Sequence, residues 1–414
     1  MKENLAILQN NSRLSKSKRI WMACVLGSLS AFGPLSIDMY LPALPNLGKD
    51  FHANPSVVQL SLTFFLLGIS SGQLFSGPLS DIRGRRKPLL IGLIIYFIVS
   101  LLCVFSTSIW TLIALRFIQG LSASAGVVIS RAVVRDLYSG TELTKFFALL
   151  ALVNGVAPIM APVIGAQLLR FVPWQGVFIV LSLIGLIMFF VVLFGLPETL
   201  QLERRSTGGV KNTIVTFRNL ILDRSFIGYA LVQSLVFSAM FAYISGSPFV
   251  VQNIYGASPQ MFSLIFAING LGIMIASQVT GKLAGRIRES KLLVFGLGMS
   301  WMGAFILFIF LLLRLDLIFI LLPLFFVVSS VGMVNTAGFS LAMQKQGKSA
   351  GSASALLGVL SLASGAIVAP LVGIGGGQSA IPMGVVIICV SSGAVLSYLC
   401  LVRKAKATTN DDGQ

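Results

Sequence analysis

The chain is 414 residues long; 56% are hydrophobic and 10% are charged, against roughly 25% charged in soluble domains. With a mean hydropathy of +0.92, that composition excludes a soluble enzyme or a free-standing binding domain. A net charge of +17 would suggest nucleic acid in a soluble protein, but here the basic residues sort by membrane side, so no nucleic-acid partner is expected.

In chain order, a basic tail (residues 1–19, with Lys2, Arg13, Lys16, Lys18 and Arg19) precedes the first apolar run. Twelve apolar runs follow, each long enough for a helix across a core of roughly 30 Å. They cover residues 20–45, 56–80, 88–107, 109–130, 145–170, 174–197, 226–251, 260–284, 291–313, 317–341, 349–373 and 380–402. They are numbered here as spans 1 to 12. Lipid offers no partner to an open strand edge, so the expected fold is an all-α membrane protein. The first run has many successors and reads as a retained span, not a cleaved signal.

Basic residues cluster in the loops between spans 2 and 3, 4 and 5, 6 and 7, 8 and 9, and 10 and 11, and at both ends; 26 of the 30 fall on one side. The positive-inside rule makes that side, and both termini, cytoplasmic. The "NNS" at residues 10–12 is then cytoplasmic and not a glycosylation site, and His52, the only histidine, lies in an outer loop. Cys24, Cys103, Cys389 and Cys400 lie within apolar runs without CxxC spacing, so no disulfide, metal site or cofactor is expected.

Span 1 carries "SIDMYLPALP", residues 36–45, and with it Asp38. A lone charge at the centre of a span costs on the order of 2.5–3.5 kcal/mol on insertion scales. Of thirteen acidic residues, Asp50 and Asp316 belong to outer loops and ten to the basic side; only Asp38 remains inside a span. Arg116 in span 4 is its only basic counterpart. Burial and a nearby arginine act in opposite directions on a carboxylate's hold on a proton, so conformation can load and unload it. Asp38 is therefore read as a proton carrier; the structural alternative is a cap at a helix break near Pro34 and Pro42, or a place at the outer interface. Arg116 keeps its proton and is read as a fixed charge acting on Asp38. Its alternative is a structural arginine bonded to backbone carbonyls and Gln119.

Span 2 contains "GISSG" at 68–72 and closes on "GPLSDIRGRR" at 77–86. The first matches a nucleophile motif only in form, since no histidine is available; close helix packing is the expected role. In the second, Gly84 suits a tight turn, and Asp81 can pair with arginines or with a helix N-terminus of the other half. In span 5, Pro158 and Pro162 favour a bend, while Gly155, Ala161 and Gly165 permit close approach of another helix. The polar stretch 198–225 divides six spans from six. "GPLS" at 77–80 returns as "GKLA" at 281–284, and "MAPVIG" at 160–165 as "VAPLVG" at 368–373, offsets of 204 and 208 residues. Such a parallel repeat of six spans predicts two pseudo-symmetric bundles, 20–197 and 226–402, with a site between them near the midplane and a tail over 403–414.

These segments resemble a known family. "GPLSDIRGRR" looks like the loop signature of the major facilitator superfamily, and "RFIQG" at 116–120 is similar to the span 4 motif of its proton-coupled members. "APIMAPVIGA" at 157–166 resembles the span 5 motif of drug:proton antiporters, with alanines at 157 and 161 where glycine is usual. "PETL" at 197–200 closes span 6 as in twelve-span drug exporters, and "DMYLPALP" at 38–45 narrows the match to the Bcr/CflA group. The resemblance implies the major facilitator fold and a proton-coupled multidrug exporter of a bacterial cytoplasmic membrane, acting as a monomer. Asp38 and Arg116 would couple protons. Gly77, Asp81, Gly84, Arg85 and Arg86 would form a cytoplasmic gate, and Gly155, Pro158, Pro162 and Gly165 the antiporter motif. Ile82 departs from the usual basic residue after the aspartate, and the second-half loop "GKLAGRI" has no acid.

Few polar groups remain to line a pocket. Tyr40, Phe64, Asn154, Gln233, Phe237, Phe241, Tyr243 and Asn335 are the expected substrate contacts, with Gln59, Gln73, Asn269 and Met240 as neighbours. A largely apolar cavity with a few amides suits amphipathic small molecules. The alternative within the class is a proton-linked exporter or symporter of a metabolite such as an amino acid or sugar. An intramembrane enzyme would need paired catalytic groups, which one aspartate and one arginine do not supply.

Overall fold

Proline decides where the first span stops being a single helix. In the computed structural model, which describes residues 16–138, 140–205, 210–344, 346, 350–376 and 378–403, span 1 runs as Lys16–Ser30, then Phe32–Asp38, a 3-10 turn Leu41–Ala43, and Leu44–Asp50. The two parts are bent by 45°. Pro34 lacks the N–H that would reach the Ser30 carbonyl, and Pro42 the one that would reach Asp38. Asp38 is consequently the last residue of a seven-residue helix.

The remaining spans are Pro55–Arg83, Arg86–Val104, Ile109–Leu137, Gly140–Leu168, Gln175–Gly195, Arg224–Ser247 continued by a π-turn to Ile254, Pro259–Leu283, Glu289–Leu312, Leu317–Met343, Ala350–Val368 continued by a 3-10 turn to Gly375, and Ile381–Ser397 continued by a π-turn to Arg403. Ser108, Asp223 and Ser258 cap spans 4, 7 and 8 by accepting backbone N–H groups of the first turn. Counting the bent pair once gives the expected twelve. Spans 2 and 4 run past their apolar stretches to Arg83 and Leu137, because their charged last turns still propagate a helix. A further helix, Val210–Leu222, lies in the connection between the halves. Among the described residues there is no strand, only an isolated bridge between Ala284 and Ile287. The tail before residue 16 with its "NNS", Lys345, Lys348 and the tail after residue 403 lie outside the described residues.

Glycines set the closest packing within each half. A methyl on Gly68 would strike the Phe117 carbonyl, and one on Gly120 the Phe65 carbonyl, so spans 2 and 4 cross backbone to backbone. Gly72 meets Ser124 and Leu121 of span 4, so the "GISSG" segment packs as its small residues suggest. Spans 8 and 10 repeat the crossing, with Gly332 against the Ile273 carbonyl. The result is two pseudo-symmetric bundles of six helices. They meet along spans 2 and 11 and spans 5 and 8. Side-chain hydrogen bonds join them toward the end away from the arginines. Gln59 donates to the Ser245 carbonyl at 2.9 Å, Thr63 to Ala366 at 3.0 Å, Ser263 to Pro162 at 2.9 Å and Gln260 to Ala166 at 3.0 Å. Pro370 contributes no N–H to Ala366, which leaves that carbonyl free for Thr63.

Candidate functional site

Asp38 is buried, 5% exposed, and among the described residues its carboxylate takes no hydrogen bond and no ion pair. It sits at a helix C-terminus, the negative end of the helix dipole. Tyr243 of span 7, in the second half, lies within its electrostatic reach. Asn269 of span 8 donates to the Tyr243 hydroxyl at 3.0 Å, and Phe266 stacks on the Tyr243 ring at 5.5 Å. The turn after Asp38 rests on the span 5 motif. A side chain at Gly165 would collide with the Met39 carbonyl, so that glycine is required for contact. Gly155, one face further along, borders Met274 of span 8, and Pro162 presents its carbonyl to Ser263. Pro158 and Pro162 both lie inside the helix.

Arg116 is fully buried and does not pair with Asp38. One guanidinium nitrogen donates to Gln119 Oε1 at 2.6 Å and another to the Ser36 carbonyl at 2.9 Å. Gln119 passes a hydrogen bond on to Ser100 at 2.7 Å. Three rings surround the cation: Phe65 at 4.2 Å, Tyr40 at 5.0 Å and Phe178 at 5.8 Å from their centroids. This is the geometry of an arginine held by a backbone carbonyl and Gln119. Its grip falls on the short helix that ends in Asp38, two residues away. Ser36 is fixed a second way, since its hydroxyl is 2.6 Å from that of Tyr96.

The expected pocket residues divide. Tyr40 is enclosed in the first bundle, against Arg116 and Phe178 and 3.0 Å from the Ser61 hydroxyl, so it supports Arg116 and does not line an intersubdomain space. Phe64 is 37% exposed and stands edge-on to Phe117 of span 4. Asn154 donates to Ser30 at 2.6 Å and to Leu150, bracing the bend in span 1. In the second half Gln233, Phe237 and Met240 form one half-buried stripe of span 7, with Phe237 5.1 Å from Phe241 and Tyr243 a turn beyond. Gln233 Oε1 and Asn335 Oδ1 have no hydrogen-bond partner among the described residues. Gln233 Oε1 lies 4.0 Å from where a methyl on Gly338, in span 10 three residues after Asn335, would sit.

The loop after span 2 is built around Arg85, which is 6% exposed. It donates to Asp136 at 2.8 Å and to Ser80 at 2.8 Å, and pairs with Asp81. Asp81 thus binds within its own half and keeps half of its side chain exposed. Burial opposes the charge of Arg85, but hydrogen bonds and charge from Asp136 and Asp81 outweigh it and hold the guanidinium more firmly protonated than usual. Sequence reasoning missed two members here. Glu198 of "PETL" accepts the backbone N–H groups of Arg85 at 2.8 Å, Arg86 at 3.1 Å and Leu200 at 3.0 Å, capping span 3 from outside. Partial burial disfavours its charge; those N–H donors and the charge of Arg205 prevail and hold its carboxyl below the usual range. Gly84, at φ +87°, has no room for a side chain, because Glu198 and Arg205 fill the space. Arg86 reaches the Leu193 carbonyl of span 6, and Gly77 approaches Val128 of span 4. The signals were present: an acid in the last turn of span 4 opposes the helix dipole and asks for a cation, and a helix start at Arg85–Arg86 leaves bare N–H groups.

The Major Facilitator Superfamily profile matches residues 21–370. A Bacillus subtilis protein named "Uncharacterized MFS-type transporter YdgK" is 45% identical over 389 residues, 94% of this chain and 96% of its own. A Haemophilus influenzae protein named "Bicyclomycin resistance protein homolog" is 32% identical over 347 residues, 84% of this chain and 87% of its own. Among solved structures, a bacterial homolog of the human lysosomal transporter Spinster, inward-facing and unoccupied, superposes with a TM-score of 0.75 at 13% identity, covering 96% of this chain and 99% of that one; this likeness is one of fold.

Proposed function

The chain belongs to the major facilitator superfamily, and from that premise we propose that it is a proton-driven exporter of amphipathic small molecules, working as a monomer in the bacterial cytoplasmic membrane with both termini inside. One observation carries the reading: a single carboxylate, Asp38, buried with no hydrogen bond or ion pair among the described residues and within electrostatic reach of Tyr243 of the opposite half. An unpaired buried charge costs several kcal/mol, and a proton removes it. Loading Asp38 from outside and unloading it inside would let the halves rock with the site neutral. The membrane potential supplies about 2.3 kcal/mol per charge per 100 mV.

In this reading the hydrogen bonds of Gln59, Thr63, Ser263 and Gln260 close the outer end. The Arg85 cluster is the cytoplasmic gate, its half-exposed Asp81 available to engage the second half when the inner end closes. The half-buried stripe of Gln233, Phe237 and Met240, with Asn335 and Phe241 near it, receives the cargo. The likeness to a protein named for bicyclomycin resistance supports drug export as the task. The test is dye efflux from cells lacking other pumps. The wild-type chain should speed energised efflux and Asp38→Asn should return it to the background rate. Undiminished pumping by Asp38→Asn rejects the carrier role, and proton-driven uptake by the same cells in place of efflux would make the protein a symporter.

A further inference from the structure

Spans 9 and 12 meet at mid-length through small polar groups. The Ser300 and Ser391 hydroxyls are 3.3 Å apart, and the Trp301 indole N–H donates to Ser392 at 3.1 Å. Between that contact and the basic end lies a groove of about 430 Å³, lined by Val294, Leu297, Trp301, Val395 and Tyr398, with Arg403 at its foot. Its volume is within the roughly 300–1,000 Å³ of small-ligand sites. Gly298 contributes to the space, since nothing lies within 4 Å of where its Cβ would be. The foot is shaped by the π-turn Tyr398–Arg403, a distortion frequent at ligand sites.

Two features identify the occupant. The groove opens sideways, where Val294, Phe295, Met302 and Leu399 are exposed on the perimeter of the bundle, so a ligand reaches it from the hydrocarbon. Its wall is apolar along the helices and cationic at one end, the end where Lys291 and the other basic residues collect. Residues 294 to 301 rise about 10 Å along the helix, enough to hold the upper part of one acyl chain. We propose that the groove binds one chain of an anionic glycerophospholipid, with the phosphate on Arg403. A neutral phospholipid brings no net charge to that arginine, and a soluble anion brings nothing to the apolar wall.

Trp301 reports on the site directly. The full chain is placed in nanodiscs containing either brominated phosphatidylglycerol in unlabelled phosphatidylcholine or the reverse, and the Trp301 signal is taken as wild type minus Trp301→Phe. An arginine at the interface favours an anionic headgroup roughly fivefold. Brominated phosphatidylglycerol should therefore quench Trp301 at a several-fold lower mole fraction than brominated phosphatidylcholine, and Arg403→Gln should remove the difference. Gly298→Phe, which fills the groove and leaves Arg403 in place, should reduce quenching by both lipids. Equal quenching by both lipids in the wild type, a preference that persists in Arg403→Gln, or a second copy of the chain covering Trp301 would overturn the proposal. No outcome depends on transport.

Discussion

In the first half, Gly120 of span 4 lets the backbone of span 2 touch it, and four residues earlier stands Arg116; in the second half, Gly332 of span 10 does the same for span 8, and four residues earlier stands Val328. Both side chains are buried in the middle of their bundles. One bundle is built around a caged cation that holds the Asp38 helix, the other around hydrocarbon. The same asymmetry holds at the basic end. Gly84 and Gly285 both turn the chain at φ +87°. Only the first is ringed by Asp81, Arg85, Asp136 and Glu198. After the second, Glu289 accepts from Ser340 and Gln344, and in the register of the repeat Gly285 stands where the first half has Asp81. A duplicated frame thus carries ionic machinery on one side and a neutral wall, with unpartnered amides at Gln233 and Asn335, on the other.

Exchanging the two central residues gives the largest expected effect. Val328→Arg buries a cation within an apolar cluster, at a cost of several kcal/mol. It should yield little folded protein, read as loss of the monodisperse peak in detergent size-exclusion of membrane extracts. Arg116→Leu should behave otherwise. It loses two hydrogen bonds to a charged donor, about 1.5–3 kcal/mol each, but relieves the burial of a cation that has no counter-ion among the described residues, a cost of several kcal/mol in the opposite direction. The variant should fold, with its melting temperature within a few degrees of wild type, while proton-driven efflux falls severely because the Asp38 helix loses its tether. Equal tolerance of both exchanges would mean that the halves are not differentiated at their centres.

The turn glycines make a finer contrast. Gly84→Ala and Gly285→Ala both place a Cβ at positive φ, worth about 1 kcal/mol. Around Gly285 the space is open, so the cost should stop there. At Gly84 the new methyl displaces Glu198 and Arg205, and the loss should reach roughly 2–3 kcal/mol. Thermal melts of the two purified variants in one detergent measure the difference; melts that coincide would remove Glu198 from the structural role given to it.

Much of this architecture is legible in the sequence because the bilayer simplifies the problem. Apolar length alone locates the spans, and the repeats at 77–80 and 160–165 locate their counterparts. Asp38 stands out because charge is rare in hydrocarbon. What escapes is the direction in which a side chain points. Tyr40 and Phe64 look like pocket residues by type, yet one packs inward on Arg116 and the other lies edge-on to Phe117, since helix rotation depends on tertiary contacts such as the Gly68–Gly120 crossing. The contact of Glu198 with span 3 joins residues more than a hundred positions apart, and no local pattern encodes which helix start a distant carboxylate will cap.

The smallest expected effect tests that cap by pH. Glu198 is ionised more readily in the folded protein than in the unfolded chain, its folded pKa held down by the N–H groups of Arg85, Arg86 and Leu200 against partial burial. Its stabilisation is therefore complete above the unfolded glutamate value, about 4.3, and is lost as pH falls through the lower folded value. An exposed carboxylate at a helix N-terminus contributes about 0.3–1 kcal/mol. Wild type should melt slightly above Glu198→Gln at pH 6, and the gap should narrow progressively below pH 4.3 as the carboxylate is protonated. The amide can still accept one of the N–H bonds, so the surviving difference isolates the charge. A gap that stays constant from pH 6 to below 4, or widens, would show that the charge of Glu198 does not hold span 3. The ionic character of the first-half loop would then reduce to Arg85 and its two aspartates.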